Sequence, residues 1–214
     1  MTRGILLDVD GVILDSYGAF RIVWERWAAR HRLDFESVWL ATHGRRPVDT
    51  ITEVAPHLDS KAEQTWLELM IDDPALQFPP VEGAKDFLGA IPMGRWGLVT
   101  SNDVEKVRAR FQTGGLPVPE VIVDGHSVPI GKPAPDCYRL GSQLLGVPPE
   151  ACLVFEDAPA GIQAARTAGC RVVGITTTHS EASLAEADVI VDSLVEGAIL
   201  VAEWFAGMQD GSSA

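Results

Sequence analysis

The chain has 214 residues and carries a formal net charge of −13 at pH 7. This length allows one domain with a large buried core, alone or with an insert. The negative charge argues against a nucleic-acid backbone or an anionic membrane surface as a partner. An anionic substrate would have to meet a metal ion or a few locally placed basic side chains.

The three cysteines form no CxxC pair, which is typical of reduced core thiols in a cytoplasmic protein. One arginine near the N-terminus leads directly into strand-like residues, without a cleavage site. No apolar run is long enough to cross a membrane. We therefore expect a cytoplasmic protein with no signal peptide and no membrane span.

Residues 4–9 predict a buried strand that leads into two acids, Asp8 and Asp10. Alternate residues of a strand point to the same side, so the two carboxylates would share one face. At about 4 Å and an effective dielectric near 20, two such anions repel by roughly 4 kcal/mol. Solvent at an ordinary strand end would offset this repulsion, and so would a nearby cation or proton.

Residues 16–81 show helical patterns and no convincing strand. Apolar residues recur at spacings of three and four over 20–28, and further helices are predicted over about 48–58 and 61–71. A pair of prolines then interrupts the pattern. We therefore predict an all-helical insert immediately after the first strand.

From residue 82 onwards, short apolar strands alternate with helices. This alternation predicts a Rossmann-like α/β fold, in which helices cover both faces of a parallel sheet. We assign residues 1–15 and 82–206 to this core, 16–81 to the insert and 207–214 to a flexible tail. The predicted strands are 96–100, 121–123, 152–155, 171–175 and 189–191, and the predicted helices are 82–91, 104–111, 136–145, one from about 161, one near 184, and 193–205.

Polar residues follow three of these strands at the sheet edge where ligands of parallel sheets bind. They are Thr100, Ser101, Asn102, Lys132, Glu156 and Asp157. Taken singly, Thr100 and Asp157 could cap helices, and Lys132 could be a solvated loop residue. Taken together, converging carboxylates favour Mg²⁺ over Zn²⁺. A metal, a threonine and a lysine around a carboxylate suit phosphoryl transfer.

Four segments in chain order, 8–12, 99–102, 131–133 and 155–157, resemble the signature motifs of the haloacid dehalogenase (HAD) superfamily. The position of the insert resembles the C1-cap subfamily. Segments 43–46 and 154–170 further resemble sugar- and polyol-phosphate phosphatases, such as glycerol-3-phosphate and 2-deoxyglucose-6-phosphate phosphatases. The resemblance implies a Mg²⁺-dependent phosphatase that hydrolyses a small phosphorylated metabolite.

The same resemblance implies roles for the four acids. Asp8 would be the nucleophile that forms an aspartyl-phosphate, and Asp10 would protonate the leaving oxygen and later help to deprotonate water. Asp8, the backbone carbonyl of Asp10, and Asp157 would bind Mg²⁺. Glu156 would hold a metal-bound water or assist directly.

The phosphoryl oxygens would be bound by Thr100 and Lys132, and the neighbouring Ser101 and Asn102 are further candidates for substrate binding. Lys132 would also keep Asp8 ionised.

Recognition of the leaving group is expected from the insert. Arg45 and Arg46 are the candidates, with Tyr17 near the hinge, and the alternative is a solvated arginine pair. We expect His43 to be structural, and residues 15–16 to act as a hinge.

Three other functions are considered. Dehalogenases of the superfamily need neither a second acid nor a metal, so Asp10 and the acids at 156–157 argue against that class. A phosphomutase of the β-phosphoglucomutase type is the alternative, but residues 17–20 lack the histidine expected there. A non-catalytic binding protein would be expected to lose the acid at position 8, which is present.

Overall fold

The computed structural model describes residues 2–207, so the predicted tail lies outside the described residues except for Gly207. Six strands pair in parallel in one sheet, in the order β3-β2-β1-β4-β5-β6. This confirms the predicted Rossmann-like α/β fold. The strands are β1 (Gly4–Leu7), β2 (Trp96–Val99), β3 (Val121–Val123), β4 (Cys152–Glu156), β5 (Arg171–Ile175) and β6 (Val189–Val191).

Helices cover both faces of the sheet because its central strands are apolar on both sides. In β1, Ile5 and Leu7 pack into one hydrophobic cluster and Leu6 into the other. Residues of α5, α6 and α9 complete the first cluster, and residues of α7 and α8 complete the second. These helices are α5 (Ala84–Ala90), α6 (Val104–Thr113), α7 (Asp136–Leu145), α8 (Pro159–Ala168) and α9 (Leu194–Ala206).

The predicted insert is a block of four helices with a hydrophobic cluster of its own around Trp27, which is fully buried. The helices are α1 (Tyr17–His31), α2 (Phe35–Thr42), α3 (Pro47–Val54) and α4 (Ser60–Ile71). The segment that enters these helices and the segment that leaves them lie side by side. Leu14 pairs with Pro80, and the Asp15 N–H donates to Pro79 O at 2.8 Å. We call these four helices, with the segments that connect them, the helical block.

The sequence did not reveal α2. This helix has eight residues and buries only Val38 and Trp39, so its apolar residues complete too few turns to show a helical period. Its start depends on the Asp34 carboxylate, which accepts a hydrogen bond from the Ser37 N–H at 2.9 Å. A local cap therefore defines this helix more clearly than its hydrophobic pattern.

Three predicted elements differ most from the structure. The strand predicted to reach residue 9 ends at Leu7, because the chain turns sharply and Val9 O accepts the N–H groups of Ile13 and Leu14. The helix predicted over 48–58 ends at Val54, since Ala55 leaves helical geometry at φ −144° and ψ 61°. The helix predicted near residue 184 is a four-residue 3₁₀ turn, Glu181–Leu184.

Within residues 2–207, the longest apolar helices fall short of what a bilayer crossing requires. All three cysteines in this part of the chain are free and buried, as expected for core thiols.

Phe155→Ala tests the packing of the face of the sheet covered by α5 and α9. Phe155 is fully buried and its ring meets that of Phe87 edge-on at 5.0 Å. We expect the substitution to reduce the free energy of unfolding by about 3–5 kcal/mol. Urea denaturation measures this loss. Met93→Ala is the control, because that side chain is 95% exposed and should change stability by less than about 0.5 kcal/mol. Equal effects of the two substitutions would contradict the assignment.

Candidate active site

The turn after β1 brings the first predicted acids to the carboxyl edge of the sheet. Gly11 adopts φ +83°, which favours glycine. A Cβ at this position would lie 2.2 Å from Asp157 Oδ2. Glycine is therefore required here both for the turn and for the close approach of the fourth strand end.

Lys132 is the centre of the site. Its ammonium donates to Asp8 Oδ1 at 2.6 Å, to Glu156 Oε1 at 2.6 Å and to Val99 O at 3.2 Å. The side chain is 2% exposed. Three acceptors match the three N–H groups of an ammonium, so this residue is not a solvated loop lysine.

Glu156 fixes the position of Lys132. Its Oε1 also accepts the Tyr138 hydroxyl at 2.6 Å, and its Oε2 accepts the N–H groups of Asp157 and Ala158 at 3.1 and 3.3 Å. A Cβ at Gly161 would lie 1.8 Å from Oε1, so glycine makes room for the carboxylate. Glu156 is thus fully buried with hydrogen bonds on both oxygens.

The carboxylates of Asp8, Glu156 and Asp157 each offer an oxygen within 4.8 Å of the other two. All three residues are buried, and Lys132 supplies one positive charge against three acids. Oxygen ligands with a surplus of negative charge suit a hard divalent cation. In addition, Asp10 Oδ1 is a buried oxygen without a hydrogen-bond partner. The residues present therefore fit Mg²⁺.

The residues after β2 divide into two groups. Thr100 is 2% exposed, and its hydroxyl oxygen accepts the Asn102 N–H at 3.1 Å, which leaves the hydroxyl proton free to donate. The helix cap here is Asp103, so Thr100 is not the cap of α6. The side chains of Ser101 and Asn102 are engaged within the protein: Ser101 donates to Gly44 O at 3.1 Å and Asn102 donates to Asp10 Oδ2.

Asp157 does not cap the helix after it, because the first residue before α8 is Ala158 and α8 has no side-chain cap. The Asp157 carboxylate instead accepts the Thr178 hydroxyl. Helix capping therefore does not explain the presence of an acid at position 157.

Burial and neighbouring charges raise the pKa values of Asp8 and Asp157. Burial raises the pKa of Asp8 well above its ordinary value, Lys132 opposes the shift, and Glu156, Asp157 and Asp10 add to it. Burial, followed by the charge of Glu156, raises the pKa of Asp157 to about 8. Burial would lower the pKa of Lys132, but Asp8 and Glu156 outweigh it and raise that pKa. The site therefore has a deficit of positive charge.

The two candidate arginines of the helical block differ. All five N–H groups of Arg46 are used within the protein: two meet the Asp49 carboxylate, and three meet the carbonyls of Gly125, Val128 and Pro129. Arg46 therefore joins the helical block to the loop after β3.

Arg45 donates through Nη1 to Glu53 at 2.6 Å, and its buried Nε has no partner. Arg45 lines a cavity of about 100 Å³ together with Asp8, Asp10 and Asp157. Tyr17 and His43 line the same cavity from the helical block. The cavity thus has the acids on one side and the candidate leaving-group residues on the other.

His43 lies at the boundary between the helical block and the sheet. Its Nδ1 is 3.0 Å from His179 Nε2, and its ring meets that of Trp39 edge-on at 4.9 Å. Burial, followed by the neighbouring His179, lowers the pKa of His43 to about 4. His43 is therefore neutral near pH 7.

Sequence reasoning missed Tyr138, Thr178 and His179. A tyrosine on the apolar face of α7 is indistinguishable from a core residue in the sequence. The polar run 177–179 lies just after the end of β5. Ligands of parallel sheets bind beyond the carboxyl ends of the strands, so the same rule that identified the other strand ends applies to this run.

Comparisons with known proteins agree with this geometry. The family model for haloacid dehalogenase-like hydrolases matches residues 2–169. Hexitol phosphatase A of Escherichia coli (strain K12) is 36% identical over 203 residues, which cover 90% of this chain and 91% of that protein. Glycerol-1-phosphate phosphohydrolase 2 of Saccharomyces cerevisiae (strain ATCC 204508 / S288c) is 32% identical over 200 residues, which cover 87% of this chain and 80% of that protein.

Among solved structures, a hydrolase from Pseudomonas syringae covers 94% of this chain and 99% of its own, with a TM-score of 0.83 and 19% identity. At that identity, the likeness is one of fold.

The raised pKa of Asp157 predicts how pH affects the metal-free protein. An acid whose pKa is raised on folding holds its proton in the folded state, so its contribution to stability is lost as pH rises through the folded value. Asp8 acts with the same sign. His43 acts with the opposite sign, but its effect is complete by about pH 7 because its pKa is lowered from an ordinary value of 6.5.

We therefore expect the free energy of unfolding in EDTA to fall by roughly 1–2 kcal/mol between about pH 7 and pH 8.5. Asp157→Asn should flatten this dependence, and Mg²⁺ should offset it. Urea denaturation across this range measures the change. Stability that stays constant or increases over the range in EDTA would contradict the assignment.

Proposed function

The chain belongs to the haloacid dehalogenase-like hydrolase family, and we propose that it releases phosphate from a small phosphorylated sugar or polyol through an aspartyl-phosphate on Asp8. It is a phosphoric monoester hydrolase. One observation carries the proposal: Asp8, Glu156 and Asp157 converge in a buried site beside Lys132 and the free hydroxyl proton of Thr100. The names of the two relatives, which include a hexitol and a glycerol phosphate, support the substrate class.

Asp8 is the nucleophile in this proposal. Lys132 contacts Asp8 Oδ1 at 2.6 Å and favours its ionised form, which leaves Oδ2 for attack on phosphorus. Attack by a carboxylate breaks the ester bond and stores the phosphoryl group on Asp8. Glu156 acts by holding Lys132 in place.

Asp10 moves the proton. Asn102 orients its Oδ2, and its Oδ1 has no other partner, so Oδ1 is available to give a proton to the leaving alcohol oxygen. The same oxygen then accepts a proton from the water that attacks phosphorus and regenerates Asp8. One side chain serves both half-reactions.

Thr100 and Lys132 bind the phosphoryl oxygens. Thr100 has a free hydroxyl proton to donate, whereas Lys132 would exchange its hydrogen bond to Val99 O, the longest of its three at 3.2 Å, for one to a phosphoryl oxygen. Ser101 and Asn102 support this arrangement indirectly, because their side chains bond Gly44 and Asp10. Their predicted contact with substrate would have to be made by other atoms or after movement.

Mg²⁺ is the proposed cofactor. Asp8, Asp157 and the backbone carbonyl of Asp10 would hold it, with Glu156 close by. When bound, it neutralises charge on the transferred phosphoryl group.

Residues 16–81 form the proposed cap, and residues 1–15 with 82–206 form the proposed core. A separate hydrophobic cluster in the helical block supports this division, as do the two adjacent crossings at residues 14–15 and 79–80. A hinge at 15–16 would let the helical block move as a unit. In this structure two hydrogen bonds cross the boundary between cap and core, one from Ser101 to Gly44 O and one from Arg46 to Gly125 O.

Arg45 is the proposed reader of the leaving group. It lines the small cavity with the acids and has a buried Nε without a partner, whereas the N–H groups of Arg46 are fully engaged. A phosphomutase of the β-phosphoglucomutase type is the second candidate. The phosphatase names of the relatives and the absence of histidine from residues 17–20 favour hydrolysis.

Asp8→Asn should lower kcat for phosphate release by at least about 10³-fold, because an amide cannot act as the nucleophile. The fold should persist, since the substitution removes one of three mutually repelling charges. Steady-state phosphate release and thermal unfolding measure the two effects. Asp86→Asn, at an exposed position of α5, is the matched control and should leave activity unchanged. Activity of Asp8→Asn within about tenfold of the unsubstituted protein would refute the nucleophile assignment.

Arg45→Ala should raise KM for a hexitol phosphate by about tenfold and leave kcat within about twofold, because it removes binding common to the ground and transition states. For a small artificial phosphate ester, KM should change little. Arg26→Ala, on an exposed face of α1, is the control. Equal losses on both substrates would argue that Arg45 has a structural role.

A further inference from the structure

A line of hydrogen bonds connects the proposed metal site to the helical block. The Thr178 hydroxyl contacts Asp157 Oδ2 and lies 2.8 Å from His179 Nδ1. His179 Nε2 in turn lies 3.0 Å from His43 Nδ1. The line thus joins the loop after β4, the loop after β5 and the segment after α2, which are far apart in the sequence.

The chemistry of the groups sets the direction of every bond in this line. With Mg²⁺ bound, Asp157 would be ionised and its carboxylate could only accept, so Thr178 would donate its one proton to Asp157. Its oxygen must then accept from His179 Nδ1–H, and a neutral ring protonated at Nδ1 has an acceptor at Nε2. His43 Nδ1–H therefore donates to His179. The direction of each hydrogen bond thus follows from the one before it, starting at the Asp157 carboxylate.

Packing fixes the far end of the line to the helical block. The ring of His43 meets those of Trp39 and His179 edge-on, with centroids 4.9 and 4.6 Å apart. Trp39 is 5% exposed and belongs to the cluster of the helical block. His43 therefore packs with the helical block, whereas Thr178 and His179 lie in the loop after β5.

We propose that Thr178, His179 and His43 are positioning residues that orient Asp157 for Mg²⁺ and couple metal affinity to the contact between the helical block and the sheet. This inference rests on the proposed function, because it takes Asp157 as a metal ligand. Groups that hydrogen-bond a metal ligand change metal affinity by about 10- to 100-fold when they are removed. None of the three residues is itself a proposed ligand.

Coupling of this kind is reciprocal. If His43 in contact with His179 strengthens Mg²⁺ binding, bound Mg²⁺ strengthens that contact by the same factor. A substitution in the helical block should then weaken Mg²⁺ binding at the sheet, although it leaves every proposed ligand in place. A purely structural histidine would change stability and leave metal affinity unaltered.

Isothermal titration of Mg²⁺ into the full chain tests the proposal without relying on activity. Thr178→Val removes the donor to Asp157 and should weaken Mg²⁺ binding by about tenfold or more, whereas Thr178→Ser keeps the hydroxyl and should bind as the unsubstituted protein does. His43→Leu should weaken binding by about three- to tenfold, and His43→Asn, whose amide N–H replaces Nδ1–H, should restore most of it.

His57→Leu is the matched control, because His57 is an exposed histidine of the helical block and should leave Mg²⁺ affinity unchanged. Thermal unfolding in EDTA shows whether each variant is folded. Hexitol-phosphate kinetics at saturating Mg²⁺ should show kcat nearly restored in Thr178→Val, which separates lost metal affinity from lost catalysis.

The outcomes are distinguishable. If the unsubstituted protein binds Mg²⁺ and both Thr178→Val and His43→Leu bind it equally well, the positioning role is overturned while the metal site stands. If Thr178→Val weakens binding and His43→Leu does not, the coupling to the helical block is overturned. If the unsubstituted protein does not bind Mg²⁺, the metal assignment in the proposed function fails and this inference fails with it.

Discussion

The contact of the Lys132 ammonium with the carboxylates of Asp8 and Glu156 governs the structure of the site. Both distances are 2.6 Å, and all three groups are nearly inaccessible to water. Removing Lys132 would leave two buried carboxylates without a counter-charge, which is strongly destabilising. One lysine nevertheless cannot balance three acids. Burial, together with this residual negative charge, raises the pKa values of Asp8 and Asp157. The same imbalance favours binding of the proposed divalent cation.

The sheet topology places these charges together. β1 and β4 are adjacent, and Leu7 pairs with Phe155, so the next residues, Asp8 and Glu156, emerge at the same height. The hydrogen bond from the Asp8 N–H to Phe155 O extends this alignment by one residue. Gly11 and Gly161 then remove the side chains that would collide with the carboxylates. Backbone geometry at four nearby positions thus determines the space around Asp8, the proposed acceptor of the phosphoryl group.

Local sequence patterns were sufficient to locate the strands and the acids that the structure brings together. Apolar runs predicted the strands, and acids at their ends predicted the site. Contacts between distant segments were not predictable in this way. Arg46 resembles a free cation in the sequence, yet its N–H groups meet carbonyls about eighty residues away in sequence. Tyr138 and His179 reach Glu156 and His43 only because the fold brings their elements together. Such pairings depend on three-dimensional packing and leave no periodic signal.

The central claim is that the phosphoryl group passes through Asp8 before it reaches water. Each in-line displacement inverts the configuration at phosphorus, so two successive displacements restore it. The most direct measurement is the stereochemical course of hydrolysis of a polyol phosphate ester made chiral at phosphorus with oxygen isotopes and sulfur. Net retention is the predicted result, whereas net inversion would show that water attacks the substrate directly and would contradict an aspartyl-phosphate on Asp8.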